Sequence, residues 1–351
     1  MYASHLIREL RAAPNLDLEV FNGSNIANGH TGFFARAIRS AANRYWSHSS
    51  FPRLLREQPI DVLHGPAFVV PVSAPCPSVV TIHDLTFILF PEHFPSRWRR
   101  YVASRMPSIL RAVSAVICIS EYTKQDLLRF YNVTPNKVHV VYNGMDHSRI
   151  HPAARLDPAW AATMGLREGY VLHVGTLVAR KNIPTLLGAV AHLRSKGKWR
   201  NRQVVLAGSE TQSFPGCAEV HETIRNFSLQ EIVLLVGHVP DEQVPGLYAQ
   251  ASLLVMPTLY EGFGLPILES MAAGTPVVAS NNSSIPEVAG NAAILVPTLD
   301  VRAMADAIET VLGNPSIAKE LREKGLIQAA KFSWQRMAAE TVEIYRRVAK
   351  S

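Results

Sequence analysis

A chain of 351 residues exceeds the usual size of a single core, so two domains are expected. Apolar residues make up 48% and charged ones 18%, which excludes disordered and fibrous classes; no apolar run approaches the roughly 20 residues of a membrane-spanning helix. The net charge of +7 is uneven, with 16 Lys+Arg against 10 Asp+Glu in the first 150 residues, and the N-terminus carries no secretory signal pattern, so a cytoplasmic protein is expected.

Residues 1–13 (MYASHLIRELRAA) read as a helix with Leu6, Leu10 and the alanines on one face. From residue 17 onward, β-branched runs alternate with helical stretches. DLEVF (17–21), DVLHG (61–65), PSVVTIHD (77–84), AVICIS (115–120) and VHVVYN (138–143) are the strand candidates of the first half. Alternation of this kind predicts a parallel sheet covered by helices. The segment 95–112 (PSRWRRYVASRMPSILRA) is a basic helix in which Arg97, Arg99, Arg100, Arg105 and Arg111 stand among Trp98, Tyr101, Val102 and Met106. It either covers the sheet with a solvated basic face or rests on an anionic membrane surface. Residues 145–168 carry prolines at 152 and 158 and no strand pattern, as a linker would.

The second half repeats the rhythm with YVLHVG (170–175), QVVLAG (203–208), IVLLVG (232–237), ASLLVMP (251–257), TPVVAS (275–280) and AAILVP (292–297). The expected organisation is therefore an N-terminal α/β lobe over 1–145, a linker over 146–168, and a C-terminal α/β lobe over 169–332. A last helix follows over 333–349, with Ser333 as its N-cap. Cys76, Cys118 and Cys217 are an odd, widely spaced set that forms no CxxC pair; read as lacking a nearby histidine at metal-ligand spacing, they are expected to be buried or idle thiols in a reducing compartment.

Two stretches carry candidate chemistry. After the run ASLLVMP, the turn Glu261-Gly262-Phe263-Gly264 leads to Leu265 and a helix with Pro266 near its first position, and Glu269 lies eight residues after Glu261. Amides at a helix start, approached through glycines, suit an anionic ligand such as a diphosphate. Glu269 could then take ribose hydroxyls while Glu261 points to what the phosphate carries; two solvated glutamates remain the competing reading. In YVLHVGTLVARKNIP, Gly175 and Thr176 end a strand, and Arg180 and Lys181 stand just before a helix starting near Asn182. Cations there oppose the helix dipole, and a bound pyrophosphate would compensate them. A solvated basic pair is the alternative.

The order VGTLVARKN, LLVGHVPDEQVPGLYAQASLLVMPTLYEGFGLPILESMAAGTPVVAS and IPEVAGNAAILVP resembles the C-terminal half of the retaining GT-B glycosyltransferases of family 4, with EGFGLPILE as that family's E-x7-E motif. The resemblance runs from about residue 170 to 300, and more loosely through TIHDLTFILFPE, AVICISEYTKQDL and VHVVYNGMD. It implies an α/β, GT-B fold of two doubly wound Rossmann-like lobes facing a cleft. By matching position, Arg180 and Lys181 would bind the donor diphosphate, Glu261 the transferred sugar, and Glu269 the ribose. The amides of Gly262, Phe263, Gly264 and Leu265 would contact sugar and phosphate, Gly237, His238 and Val239 would lie near the base, and His83 would face the reacting carbon. The last helix would cross back onto the N-terminal lobe. Family members begin with a strand and a glycine-containing turn that are absent before residue 1, so the N-lobe is expected to lack its first strand, with translation starting upstream of Met1. Its loss would leave DLEVF and PSVVTIHD facing a gap.

The implied reaction is transfer of a hexose to an acceptor hydroxyl with retention, by front-face attack in which the leaving phosphate takes the acceptor proton. No carboxylate pair of the glycosidase type is identified, and no Asp-x-Asp occurs, so no metal and no cofactor are expected. TIHDLTFILFPEHFP is similar to mannosyltransferases of bacterial surface polysaccharides, which favours GDP-mannose as donor substrate. The expected partners are a nucleotide sugar and a saccharide or lipid-linked saccharide acceptor, with peripheral contact at the inner membrane face and no nucleic acid. A nucleotide-sugar epimerase and a non-catalytic sugar-nucleotide-binding protein are the alternatives. An oxidoreductase lacks support, since no GxGxxG follows any strand.

Overall fold

The computed structural model of the protein describes residues 2–14, 16–21, 51–57, 59–94, 96–199, 201–210 and 214–350. Two parallel sheets organise the chain. In the first half β1 (Leu63–Gly65), β2 (Ser78–Ile82), β3 (Ala115–Cys118) and β4 (Val138–Val140) pair in chain order. In the second half β5 (Val171–Val174), β6 (Val204–Ala207), β7 (Val233–Gly237), β8 (Leu253–Met256), β9 (Val277–Ser280) and β10 (Ile294–Val296) form a sheet of order β10-β9-β8-β5-β6-β7. The strand order reverses between β5 and β8, and ligands of doubly wound sheets bind in the crevice outside that switch point. β6, β8 and β9 are buried at every residue, as their unbroken apolar runs require when helices cover both faces.

One strand expectation fails. Asp17–Phe21 has no strand pairing: β1 is an edge among the described residues, and Val20 is 47% exposed, while Leu16 and Leu18 lean on the apolar cluster of the first helix, Tyr2–Arg11. Alternating side chains make a strand only where a neighbour completes the ladder. The expected gap beside PSVVTIHD also fails. β2 is hydrogen-bonded to β1 on one side, with His64 opposite Val79, and to β3 on the other, with Val80 opposite Val116.

The segment after Met145 is more than a tether. It contains the helix Pro158–Met164, capped by the Asp157 carboxylate at its start and by Gly165 in a left-handed conformation at its end. Ile150 and Leu156 are buried in the same cluster as Tyr170, Leu254 and Ile267 of the second lobe.

The last helix, Trp334–Ala349, starts at Ser333, whose hydroxyl accepts the Arg336 amide at 3.1 Å. Trp334, Met337, Ala338, Ile344 and Val348 are packed with Leu6, Leu10, Val79, Ile117 and Val141, all from the first half of the chain. Burying an aliphatic side chain of this size contributes about 1.5–3 kcal/mol, against less than about 1 kcal/mol for exposed ion pairs such as Arg336–Glu340. The apolar stripe therefore holds this helix on the N-terminal lobe. Two polar contacts set its register. The His5 ring stacks on Trp334 with centroids 4.3 Å apart, and Tyr345 shares its hydroxyl with His64 Nδ1 at 2.5 Å.

The basic helix Ser96–Ala112 buries Val102, Met106, Ile109 and Leu110 in the N-lobe core, so its apolar face is spent on the sheet. Arg97 and Arg100 remain exposed beside Trp98, which is 40% exposed and stacked on Phe94. Among the described residues no helix is long and apolar enough to cross a membrane.

Candidate active site in the interlobe crevice

The candidate residues cluster at the ends of β5 and β8, on either side of the switch point. After β5, Gly175 and Thr176 lead to a tight turn over Ala179–Lys181, then Asn182 in a left-handed conformation, then the helix Ile183–Ser195. The Asn182 amide donates to Pro257 O at 2.8 Å, and the Arg180 carbonyl accepts the Leu259 amide at 2.8 Å and the Thr258 hydroxyl at 3.0 Å. The turn bearing the cations is thus bonded to the segment that bears Glu261.

That bonding places Lys181 Nζ 2.6 Å from Glu261 Oε1, with Arg180 Nη1 3.3 Å from the same oxygen. The Thr258 hydroxyl, whose single proton is shared with the Arg180 carbonyl, lies 3.1 Å from Glu261 Oε1. Lys181 and Glu261 are 6% and 8% exposed, and Arg180 is the more open of the two cations. Burial alone would raise the Glu261 carboxyl, but the Lys181 and Arg180 charges and the hydrogen bonds outweigh it and hold the group down at about 2. Burial pulls the Lys181 ammonium below its ordinary value against the attraction of Glu261. The site is therefore an ion pair with a second cation beside it, an excess of one positive charge. An anion can collect that excess.

Beyond Glu261 the chain turns through Gly262, Phe263 and Gly264 into the helix Leu265–Ala272. Gly264 has φ +99°, which an L side chain rarely adopts, and no side chain caps this helix start. The helix begins at Leu265, so Pro266 is its second residue; its missing N–H costs nothing there, because first-turn amides have no intrahelical partner. Ser283 and Ser284 fix the turn from the side: the Ser283 hydroxyl accepts the Glu261 amide at 3.0 Å, and the Ser284 hydroxyl donates to the Glu261 carbonyl at 2.9 Å. Phe263 is buried against Tyr142 and Phe332.

Glu269 is held apart from this cluster. Its carboxylate accepts the Tyr248 hydroxyl at 2.7 Å, and burial raises its pKa. Gly237, His238 and Val239 stand at the end of β7, two strands from β5. The Gly237 carbonyl extends the ladder by accepting Gly208 N–H at 2.8 Å, as the Ala207 carbonyl accepts Gly175 N–H at 2.8 Å. His238 is exposed and Val239 buried, and the space a side chain would fill at Gly237 is open.

The N-terminal lobe meets this site through His83. A Cβ on Gly262 would lie 2.2 Å from the His83 carbonyl oxygen, so only glycine allows the two backbones to approach this closely. The Thr123 hydroxyl lies within 3.4 Å of His83 O and 3.3 Å of Gly262 O. The His83 ring donates from Nε2 to Pro66 O at 2.8 Å, leaving Nδ1 as an acceptor, and burial lowers its pKa, so the ring is neutral at pH 7. Two further links join the lobes. Tyr260 donates its hydroxyl to Asp126 at 2.7 Å, and the Glu287 carboxylate accepts the amides of Glu121 and Tyr122, at 2.9 and 3.0 Å, at the start of the helix Glu121–Phe130. A carboxylate at a helix N-terminus is favoured by the dipole.

The structure therefore brings His83, Arg180, Lys181, Glu261, Gly262 and Gly264 together, while Glu269 stands within the helix Leu265–Ala272, bonded to Tyr248, and the 237–239 turn at the end of β7. Sequence reasoning missed Thr258, Ser283 and Ser284, which orient Glu261, and Thr123, Asp126 and Glu287, which join the lobes. None carries a motif of its own.

A model of glycosyl transferases group 1 matches residues 163–328, and one of glycosyltransferase family 4 matches residues 3–149. The O-antigen chain mannosyltransferase B of Escherichia coli is 28% identical, aligned over 98% of this chain and 94% of its own. The MMP alpha-(1->4)-mannosyltransferase of Mycolicibacterium hassiacum is 30% identical over 72% of this chain and 58% of its own. Among solved structures, Anabaena HepE in complex with UDP and glucose superposes with a TM-score of 0.71 at 21% identity, covering 85% of this chain and 81% of that one.

Proposed function

The chain belongs to the family 4 glycosyltransferases of GT-B fold, and from that premise we propose that it transfers mannose from GDP-mannose to a saccharide hydroxyl, with retention, in surface-polysaccharide or glycolipid assembly. The reading rests on one arrangement: a buried Lys181–Glu261 pair with Arg180 beside it, at the switch point of the sheet and against His83 of the facing lobe. Arg180 and Lys181 neutralise the departing diphosphate as its charge develops, aided by the amides at Leu265. Glu261 accepts hydroxyls of the sugar. The leaving phosphate takes the acceptor proton as the glycosidic bond forms on the same face, so no protein base is needed there. Glu269 and the 237–239 turn hold ribose and base.

Cations at the phosphates do the work a divalent ion does elsewhere, so the reaction needs none. The exposed Arg97 and Arg100 beside Trp98 favour peripheral contact with an anionic membrane that carries a lipid-linked acceptor.

The test is a panel of nucleotide sugars assayed for saturable binding and for transfer, with the anomeric configuration of the product read by NMR. Saturable binding of GDP-mannose and an α-linked product are expected. Interconversion of free nucleotide sugars without acceptor would instead identify an epimerase, and binding without turnover a non-catalytic protein.

A further inference from the structure

Sequence spacing left Cys217 as an idle thiol, and the fold gathers two further metal-ligating side chains beside it. Cys217 and His221 are four residues apart on the helix Cys217–Asn226, one turn along the same face. Glu210, two residues past Gly208 at the end of β6, reaches the same point. The Cys217 thiol donates to Glu210 Oε2 at 3.5 Å, and His221 Nε2 lies 3.0 Å from that oxygen. The three ligand atoms lie within 4.8 Å of one another, and among the described residues no other group of three such side chains is gathered this closely.

We propose that Glu210, Cys217 and His221 form a zinc-binding site on the C-terminal lobe, separate from the crevice. Zn–S near 2.3 Å and Zn–N and Zn–O near 2.0–2.1 Å at tetrahedral angles put sulfur and oxygen ~3.5 Å apart and nitrogen and oxygen ~3.3 Å apart. The two separations from Glu210 Oε2 differ from these by about 0.3 Å or less, and the third ligand pair lies within 4.8 Å. Thiolate, imidazole and carboxylate together are the borderline donor set that zinc prefers, and thiolate plus carboxylate balance its charge. Binding breaks the S–H bond of Cys217, forms the Zn–S bond and releases the proton to solvent. Three protein ligands leave the fourth position to water. His221 and Glu210 are 37% and 46% exposed, so an ion reaches them without the fold opening.

The location gives the ion a structural consequence. Gly216, just before Cys217, has φ +122°, and a Cβ there would lie 2.1 Å from Ala179 N, while that amide donates to Pro215 O at 2.7 Å. The start of the ligand-bearing helix is thereby pinned to the turn that carries Arg180 and Lys181. Bound zinc would tie Glu210 to this helix and stiffen the flank of that turn.

The experiment titrates the full-length reduced chain with Co²⁺, whose thiolate charge-transfer and tetrahedral d–d absorption report the ligands directly. One equivalent per chain is expected, displaced by Zn²⁺. Cys217→Ser should abolish the thiolate band, and His221→Ala should weaken binding by about tenfold or more, while Cys76→Ser leaves both unchanged. Metal-free thermal unfolding of each variant establishes that it is folded. A wild-type chain without the thiolate band, or a band that survives in Cys217→Ser, would overturn the site.

Discussion

Lys181 Nζ and Glu261 Oε1 are 2.6 Å apart, with both side chains less than a tenth exposed, although eighty residues separate them in the chain. Two roles are combined in this contact. The pair keeps a cation buried at the place where the proposed reaction would stabilise an anion, and it holds beside it a carboxylate of pKa about 2, ionised at any physiological pH.

Glu261→Ala and Lys181→Ala should each lower turnover at least about tenfold, because each removes a group whose interaction strengthens as charge develops. The folded state should suffer too. Glu261→Gln leaves the Lys181 ammonium without its buried partner, at a cost of about 3 kcal/mol, and denaturant unfolding beside the assay separates the two effects. Near-normal turnover in both alanine variants would refute the assignment.

What was legible in the sequence was local. The turn from Glu261 to Gly264 and the cations at 180 and 181 lie within single strand-end segments, where glycines, a proline and charge occur together. Their meeting was not legible from spacing, because it depends on β5 and β8 being neighbours while β6 and β7 intervene in the chain. The same holds for the helpers of Glu261, since Ser283 and Ser284 are ordinary residues until β9 returns beside β8. Residues 17–21 show the opposite failure: an alternating pattern was present, and among the described residues no strand pairs with it. At Cys217 and His221 the spacing was visible as one helical turn, and the sequence reading overlooked it. Glu210 joins them through tertiary structure alone.

Gly262→Ala tests whether the contact between the lobes belongs to the working enzyme. Its Cβ would fall 2.2 Å from His83 O and 2.9 Å from Asp84 Cβ, and the first of these is backbone that cannot swing aside. The turn or the lobes must move. Turnover should fall by about tenfold or more, since misplacement of about 1 Å can cost a hundredfold. Wild-type turnover in this variant would mean that catalysis does not use the observed approach of His83 to the turn.

Chelation offers a separate check on the chemical step. On the proposed mechanism excess EDTA leaves turnover unchanged, because Arg180 and Lys181, paired with Glu261, would supply the positive charge at the leaving group. A rate that depends strictly on added Mg²⁺ or Mn²⁺ would count against that division of labour. The site proposed at Glu210, Cys217 and His221 is read by cobalt absorption, and the same chelation assay on Cys217→Ser separates loss of an ion there from a metal requirement of the chemical step.

The last prediction concerns acid stability and two enclosed histidines. His64 sits between the Tyr345 hydroxyl and Thr81 Oγ1, and burial, with His83 nearby, lowers its pKa to about 3. His173 is fully buried in β5 with Nδ1 3.0 Å from Val255 O, and burial, followed by the charge of Lys181, lowers it to about 4. Both are neutral in the folded protein throughout the physiological range. In the unfolded chain they titrate near the ordinary value of 6.5. Below that value the unfolded chain binds protons that the fold refuses, so stability present at pH 7 is lost as pH falls from 6.5 towards 4 for His173 and towards 3 for His64. Each histidine contributes a limiting slope of about 1.4 kcal/mol per pH unit. Denaturant unfolding at a series of pH values from 7 to 4.5 measures the combined slope. His64→Gln and His173→Gln should each reduce proton uptake on unfolding by about one, whatever they do to absolute stability. Because the readout is the difference between variant and wild type at each pH, other titrating groups cancel from it to first order. If both variants keep the wild-type slope, these two rings are not the groups that the folded protein holds neutral.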